Sequence, residues 1–303
     1  GHDEYWSEGM RDAFESFRDS GGHVLFMSGN EVFWRTRFSP DHTLMWVYKD
    51  TMDGPGAHVG GTPLDPVSWT GTWKDTRWVD RSPEHTITGT DFRMNGVNDI
   101  DAVIDHTAAF ASHPFWRDTV VATGTSVTAR GIIGFDADEI APTQPAESTA
   151  VLAQHLVGIN GARADDNGQS YDGNGDLNWG VVSQRYDSGA VVVGFGTCQW
   201  AWSLDAVHDR NVVPVEPALQ QATLNLFADL GAAPATAIAG LVTPTAVSSL
   251  DVYGLNPLNI RSGKIKVWDG SSWQSHPVKV WDGSSWQSHP ARGYSGDDFI
   301  VGK

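Results

Sequence analysis

The sequence predicts an α/β fold, and three observations carry that prediction. First, His2-Asp3-Glu4-Tyr5-Trp6-Ser7 runs directly into an amphipathic helical pattern. Met10, Phe14 and Phe17 recur at i, i+4 and i+7 with Ser7 placed as N-cap, and a strand-like run from His23 to Ser28 follows, closed by Gly29-Asn30. Second, Gly189-Ala190-Val191-Val192-Val193-Gly194-Phe195-Gly196 is a continuous apolar run bounded by glycines, the pattern of a strand buried on both faces. Third, a helix at about 215–230 carries Leu219, Ala222, Leu226 and Leu230 along one stripe, with Gly231 as its stop and Pro234 just beyond. In open α/β sheets ligands bind where strands end and helices begin, which puts His2 to Ser7 at such a mouth. The strand that should lead into it is missing because the chain starts there, with glycine; a fragment or a processed product is the simplest inference.

Between these anchors the elements follow in order. Leu44-Met45-Trp46-Val47-Tyr48 reads as a second strand, followed by Lys49-Asp50. Residues 51–97 are rich in Gly, Pro, Asp and Trp with little periodicity, and long loops of this kind are usually functional or badly ordered. A short helix is expected at 99–111, capped by Asp99. Residues 119–135 are β-branched and alternate loosely, and Asp136-Ala137-Asp138-Glu139 adds an acidic cluster before a break at Pro142 and Pro145. Residues 149–159 read as a strand or short helix, and 160–180 as a polar, hairpin-like excursion.

Composition changes after Pro234. Residues 236–262 read as a linker, and a tandem repeat follows: Ile265-Lys266-Val267-Trp268-Asp269-Gly270-Ser271-Ser272-Trp273-Gln274-Ser275-His276-Pro277 recurs at 278–290 with Val278 in place of Ile265. Each unit is a strand, an Asp-Gly turn and a strand, which would bring Trp268 near Trp273 and Trp281 near Trp286. The expected organisation is therefore a domain over 1–235, a linker, and a hairpin module over 263–303.

Totals exclude several classes. The 303 residues carry a net charge of −17, which argues against nucleic-acid backbones and anionic membranes as partners. No run reaches the ~20 apolar residues of a membrane span. The single cysteine, Cys198, rules out an internal disulfide and a cysteine metal cluster, and within an expected buried strand it reads as an inert core thiol. No GxSxG elbow is present, and Cys198 has no placed histidine partner, so serine and cysteine hydrolases are rejected. Asp172-Gly173-Asn174-Gly175-Asp176 alternates like a calcium loop, but Leu177 stands at the sixth position and Ser183 at the twelfth, so it reads as a turn.

The remaining candidates are polar clusters. His2, Asp3, Glu4 and Tyr5 suit metal ligation or an acid/base pair, or else form a polar tail. Asp136, Asp138 and Glu139 either place carboxylates at a strand end or form a solvated acidic turn.

Several of these stretches together resemble the C-terminal domain of the large subunit of N,N-dimethylformamidase. They are Gly1-His2-Asp3-Glu4-Tyr5-Trp6-Ser7, Ser28-Gly29-Asn30, Phe33-Trp34-Arg35-Thr36-Arg37-Phe38, Tyr48-Lys49-Asp50, Gly134-Phe135-Asp136, and Gly194 through Asp205, with Gln220 to Leu226 beyond. The resemblance covers roughly 1–235. It implies a class I glutamine-amidotransferase-like (flavodoxin-like) three-layer α/β sandwich and hydrolysis of a small amide by a ferric ion held by two tyrosines and a glutamate. Carried over, Tyr5 and Tyr48 look like the two phenolates, and Asp136 falls where the family often has glutamate, one methylene longer. Fe(III) suits phenolate and carboxylate oxygens, and His2 or Glu4 would move the proton to the leaving amine.

The tandem units resemble repeats near the ends of phage tail and other virion proteins. That likeness implies an alternative: a non-catalytic virion or extracellular binding protein built on the same scaffold. Its hairpins would associate copies of the chain or stack on carbohydrate at a host surface. It tips the expected location toward virion-associated or extracellular and away from cytoplasmic.

Overall fold

The computed structural model describes residues 3–50, 63–75, 85–96, 99–141 and 149–254, apart from 167, 169, 210–212 and 237–238; in the repeat region it describes the backbone of 264–268, 273–281 and 286–289. The chain divides into two compact units, Gly1–Gly254 and Leu255–Lys303.

In the first unit β1 (Tyr5–Ser7) leads straight into α1 (Glu8–Asp19), followed by β2 (Val24–Phe26), β3 (Trp34–Phe38) and β4 (Met45–Trp46). After the single turn α2 (His85–Thr88) come β5 (Thr90–Met94), β6 (Ile100–Ile104), β7 (Val127–Ile133) and β8 (Ala137–Ile140). Two long strands, β9 (Thr149–Arg163) and β10 (Gly173–Arg185), precede β11 (Val191–Gly194) and α3 (Pro217–Asp229). The second unit holds β12 (Lys264–Trp268), β13 (Trp273–Trp281) and β14 (Trp286–His289).

This is not the flavodoxin-like α/β sandwich that the sequence suggested. The main sheet has six strands in the order β2-β11-β10-β8-β5-β9, and small sheets β1-β3-β4 and β6-β7 flank it. Among the described strands of this unit only β1/β3 and β2/β11 pair in parallel; the other strand pairs are antiparallel. A parallel sheet needs a crossover of a dozen or more residues, usually a helix, between successive strands. Among the described residues only α1 and α3 are long enough, and no strand of the first unit follows α3. The domain is therefore mostly β, with two helices packed on it. The stretch expected as a helix at 99–111 shows the same shift: it forms β6 and a short 3-10 turn, Ala109–Ser112. Ile100, Ala102 and Ile104 repeat with the strand period of two, and β6 pairs with β7.

The strand expected to be buried on both faces behaves so. In β11, Val191 and Val193 enter one core and Val192 enters another, all with no solvent exposure. Burying side chains of this size contributes about 1.5–3 kcal/mol each. The larger core contains α3 residues Leu219, Ala222 and Leu226 with Trp116 and Trp200; the smaller joins Trp6, Phe14 and Phe26 under α1.

Helix α1 starts where expected, with the Ser7 hydroxyl accepting from the Met10 N–H at 3.3 Å. Its buried face differs from the apolar stripe. Phe14 is buried, but Met10 and Phe17 are 38% and 53% exposed, and Arg11 is the other buried side chain. The Arg11 guanidinium lies 4.8 Å from the centre of the Trp73 ring and donates to Glu15 at 2.8 Å. That pairing makes a buried cation tolerable.

Residues 241–254 pack on the first unit. Gln221 on α3 exchanges two hydrogen bonds with the Val242 backbone, and Tyr253 is fully buried. In the second unit, β12, β13 and β14 form a meander whose backbone register pairs Trp268 with Trp273 and Trp281 with Trp286, the pairing expected from the Asp-Gly turns. Among the described residues no helix is long and apolar enough to cross a membrane.

Candidate functional site

Two loops with strained backbones meet at one end of the main sheet. Loop 28–33 joins β2 to β3 and contains Asn30 at φ 58° and Val32 at φ 54°. Loop 134–136 joins β7 to β8 and contains Phe135 at φ 45° and Asp136 at φ 65°. For side chains with a Cβ these are costly conformations, of order 1–3 kcal/mol each, and they persist only where the surroundings enforce them. Here the enforcement is visible. The Asn30 N–H donates to Asp138 Oδ1 at 2.8 Å, and Asn30 Nδ2 donates to Asp136 Oδ2 at 3.1 Å. The Gly96 N–H, just past β5, donates to Asp136 Oδ1 at 3.0 Å. The loops approach so closely that a Cβ on Gly29 would stand 2.6 Å from the Asp136 carbonyl oxygen. Below them, just past β11, Thr197 donates its N–H to the Ser28 carbonyl at 3.1 Å and its hydroxyl to the Ile132 carbonyl at 2.7 Å.

The acidic cluster is thus a set of buried carboxylates and not a solvated turn. Asp136 and Asp138 are 7% and 2% exposed, and Glu31 is 4% exposed. Asp138 also accepts from the Thr90 hydroxyl at 2.9 Å. Burial, opposed by its hydrogen bonds and reinforced by Asp91 and Asp136, pushes the Asp138 carboxyl up to about 7. Burial and the neighbouring Asp138 push Glu31 up to about 8. The Ser28 hydroxyl donates to Glu31 Oε1, but Glu31 Oε2 and Asn30 Oδ1 are buried without a hydrogen-bond partner among the described residues. Beside them Asp91 pairs with Lys74 and Arg93, and Arg93 also pairs with Glu139 at 2.8 Å.

The N-terminal strand closes the site. In β1, Tyr5 pairs with Trp34, and the Val32 and Trp34 N–H groups donate to the Asp3 and Glu4 carbonyls, each at 2.8 Å. This register carries Glu4 and Tyr5 to the edge of the aromatic cluster Phe33, Trp34 and Phe92, where Tyr5 and Tyr171 both pack. Burial, together with Glu4, Tyr5, Asp165 and Asp136, holds the Tyr171 phenol above its ordinary pKa.

Of the residues singled out from sequence, Glu4, Tyr5 and Asp136 therefore share one neighbourhood. His2 lies outside the described residues. Tyr48 is 42% exposed, and its phenol engages Arg37, whose guanidinium also pairs with Asp65 at 2.7 Å and covers the Trp46 ring. Cys198 sits in the turn beyond β11 and not in the strand. It is 4% exposed and donates to the Gly29 carbonyl, and burial pushes its thiol up to about 12, which leaves no reactive thiolate. Glu31 and Tyr171 were missed. Glu31 is a lone acid beside a Gly-Asn turn, and Tyr171 falls in a polar stretch; neither has a spacing signature.

The family described as N,N-dimethylformamidase beta subunit-like, C-terminal, matches residues 1–213. The chain belongs to that family. The match spans both strained loops, Tyr5 and Tyr171, and it ends just before α3. No curated protein matches the chain.

Among the described residues no group of three His, Cys, Asp or Glu side chains is arranged to hold a metal ion. Phenol oxygens would have to complete a set around a carboxylate. Asp136 and Tyr5 fit by the chemistry of their donors, a hard carboxylate and a hard phenol in an acidic surround. Tyr48, the other phenol expected from sequence, lies close to the Arg37 guanidinium and is 42% exposed.

Proposed function

We propose that the domain hydrolyses the C–N bond of a small linear amide, with a ferric ion held in part by Tyr5 and Asp136. When bound, such an ion polarises the amide carbonyl and acidifies a water. The observation that carries this reading is the pair of strained loops in which Asn30 bridges the buried carboxylates of Asp136 and Asp138, with the buried Glu31 next to it in sequence.

The chain's own groups divide the remaining work. Asn30 and the Gly96 N–H orient Asp136 through both of its oxygens. Glu31, with its Oε2 unmet and its carboxyl near neutral, is matched to taking a proton from water and returning it to the departing amine nitrogen. Glu4 stands as the second acid at the rim. Phe33, Trp34 and Phe92 form a buried apolar cluster under Tyr5 that keeps bulk water from that side of the site.

The test is release of free amine from N,N-dimethylformamide and short N-alkyl amides by the full chain expressed with iron. Turnover is expected, and Glu31→Gln is expected to lower kcat by about 10²-fold or more. Iron-loaded protein that releases no amine from any of these rejects the hydrolase. The alternative, a non-catalytic virion or extracellular binding protein, has only the tandem hairpins in its support.

A further inference from the structure

One face of the small sheet β1-β3-β4 carries hydrogen-bond donors that the proposed reaction does not use. Tyr5 pairs with Trp34 and Ser7 with Thr36, so these four share a face by the strand period of two. We propose that Lys49, with the Trp34 indole N–H and the Thr36 hydroxyl, binds a carboxylate on the acyl part of the substrate. The proposal rests on the amide-hydrolase reading above and makes its substrate class a linear amide with an anionic end.

The position of Lys49 is the first ground. Its Nζ lies 5.0 Å from the centre of the Trp34 ring and 5.2 Å from that of Tyr5. Its backbone is strained, at φ 49°, and is held from both sides. The Tyr48 N–H donates to the Thr70 hydroxyl at 3.1 Å, and the Asp50 N–H donates to the Thr70 carbonyl at 3.3 Å. Strain enforced by its neighbours in this way points to a residue whose placement serves the site. Among the described residues no carboxylate pairs with the Lys49 ammonium, whereas Arg35 and Arg37 of the same sheet pair with Glu8 and Asp65.

Buried donors are the second ground. Trp34 and Thr36 are 1% and 2% exposed, and among the described residues neither Trp34 Nε1 nor Thr36 Oγ1 has a hydrogen-bond partner. They stand two positions apart on β3, about 7 Å along the strand. An ammonium and an indole N–H only donate, and the hydroxyl is free to donate. Leaving such groups unmet in the interior is costly. A carboxylate accepts through both oxygens and forms charge-assisted bonds, so it answers this set better than a neutral group does. Charge is the third ground. Loop 28–33, which runs directly into β3, carries the buried Glu31 beside Asp136 and Asp138. An anionic end is drawn to Lys49 and repelled by these acids, which turns the amide bond of the substrate toward Glu31.

The test titrates the full chain calorimetrically with succinamate, which has a carboxylate, and with succinamide, which is neutral and of the same length. Succinamate is expected to bind about tenfold or more tightly. Lys49→Met keeps the stem over the rings and removes the charge, and it should abolish the preference; Lys49→Arg should keep it, and Thr36→Val should weaken succinamate alone. Equal affinity for the two amides, or a preference that survives Lys49→Met, overturns the proposal. Acetate binding as tightly as succinamate assigns the site to a free carboxylate and overturns the substrate class. Amine release from both amides without preference rejects the carboxylate site and keeps the hydrolase. A Lys49-dependent preference in protein that releases no amine rejects the hydrolase and keeps the carboxylate site.

Discussion

Among the described residues Glu31 has one oxygen engaged and one without a hydrogen-bond partner in a buried, acidic place, and its protonation is tied to folding. Its carboxyl rises from an ordinary 4.5 to about 8 in the fold, through burial first and Asp138 second. The folded state thus holds this proton at pH values where the unfolded chain has released it. Stability from this group is complete below pH 4.5 and is lost as pH rises through 8. Asp138, raised to about 7, acts in the same direction. Glu31→Gln removes the titration and keeps the shape. It should be more stable than the wild type at pH 9, by about 1–3 kcal/mol, with a smaller gain at pH 5. Urea denaturation at the two pH values checks this, and an equal effect at both would contradict it.

At the scale of the element, α3 holds the far side of the sheet through polar contacts as well as apolar ones. Asp229, at its C-terminal end, accepts two hydrogen bonds from Arg117 at 2.8 Å each, one from the Tyr253 hydroxyl at 2.7 Å and one from the Val247 N–H at 2.9 Å. The Asp229 side chain is fully buried and that of Arg117 is 20% exposed. Asp229→Ala should therefore cost about 3 kcal/mol, because a largely buried guanidinium and a buried phenol lose their acceptor together. A fall in the denaturant midpoint with unchanged slope is the expected readout. The helix itself was legible: the Leu219-Ala222-Leu226-Leu230 stripe, Gly231 and Pro234 are local signals, and Pro217–Asp229 forms where they point. Its buried polar residues were not. Asn225 donates to the Phe115 and Arg117 carbonyls at 3.0 and 2.7 Å, contacts more than a hundred residues away in the chain that no local period encodes.

For the whole molecule, the first compact unit ends at Gly254 and not at the compositional break after Pro234. The last stretch contributes a fully buried Tyr253, whose carbonyl accepts from Ser183 Oγ at 2.6 Å, and a Val252 carbonyl held by His113 Nε2 at 2.9 Å. A chain ended at Gly240 should lose about 3 kcal/mol or more relative to one ended at Gly254, since a core aromatic is removed with its hydrogen bonds. Thermal unfolding of the two truncated chains compares them directly; equal midpoints would show that 241–254 adds nothing to the core.

Local chemistry was enough for the sequence by itself to determine the helix capped by Ser7, the doubly buried strand at Val191–Val193, the C-terminal helix and the register of the tandem hairpins. Each rests on contacts within a few residues, or on a periodicity that one segment displays alone. Short motifs strung along most of the chain also determined its dimethylformamidase-like family. Tertiary structure decided the rest. The order and direction of strands, which turned an expected parallel sandwich into a mostly antiparallel sheet, depend on pairings that the alternation within a strand does not specify. The same holds for the site: Asn30 meets Asp138 across 108 positions of sequence, and that contact, with the strain at Val32, Phe135 and Asp136, turns scattered acids into one buried cluster.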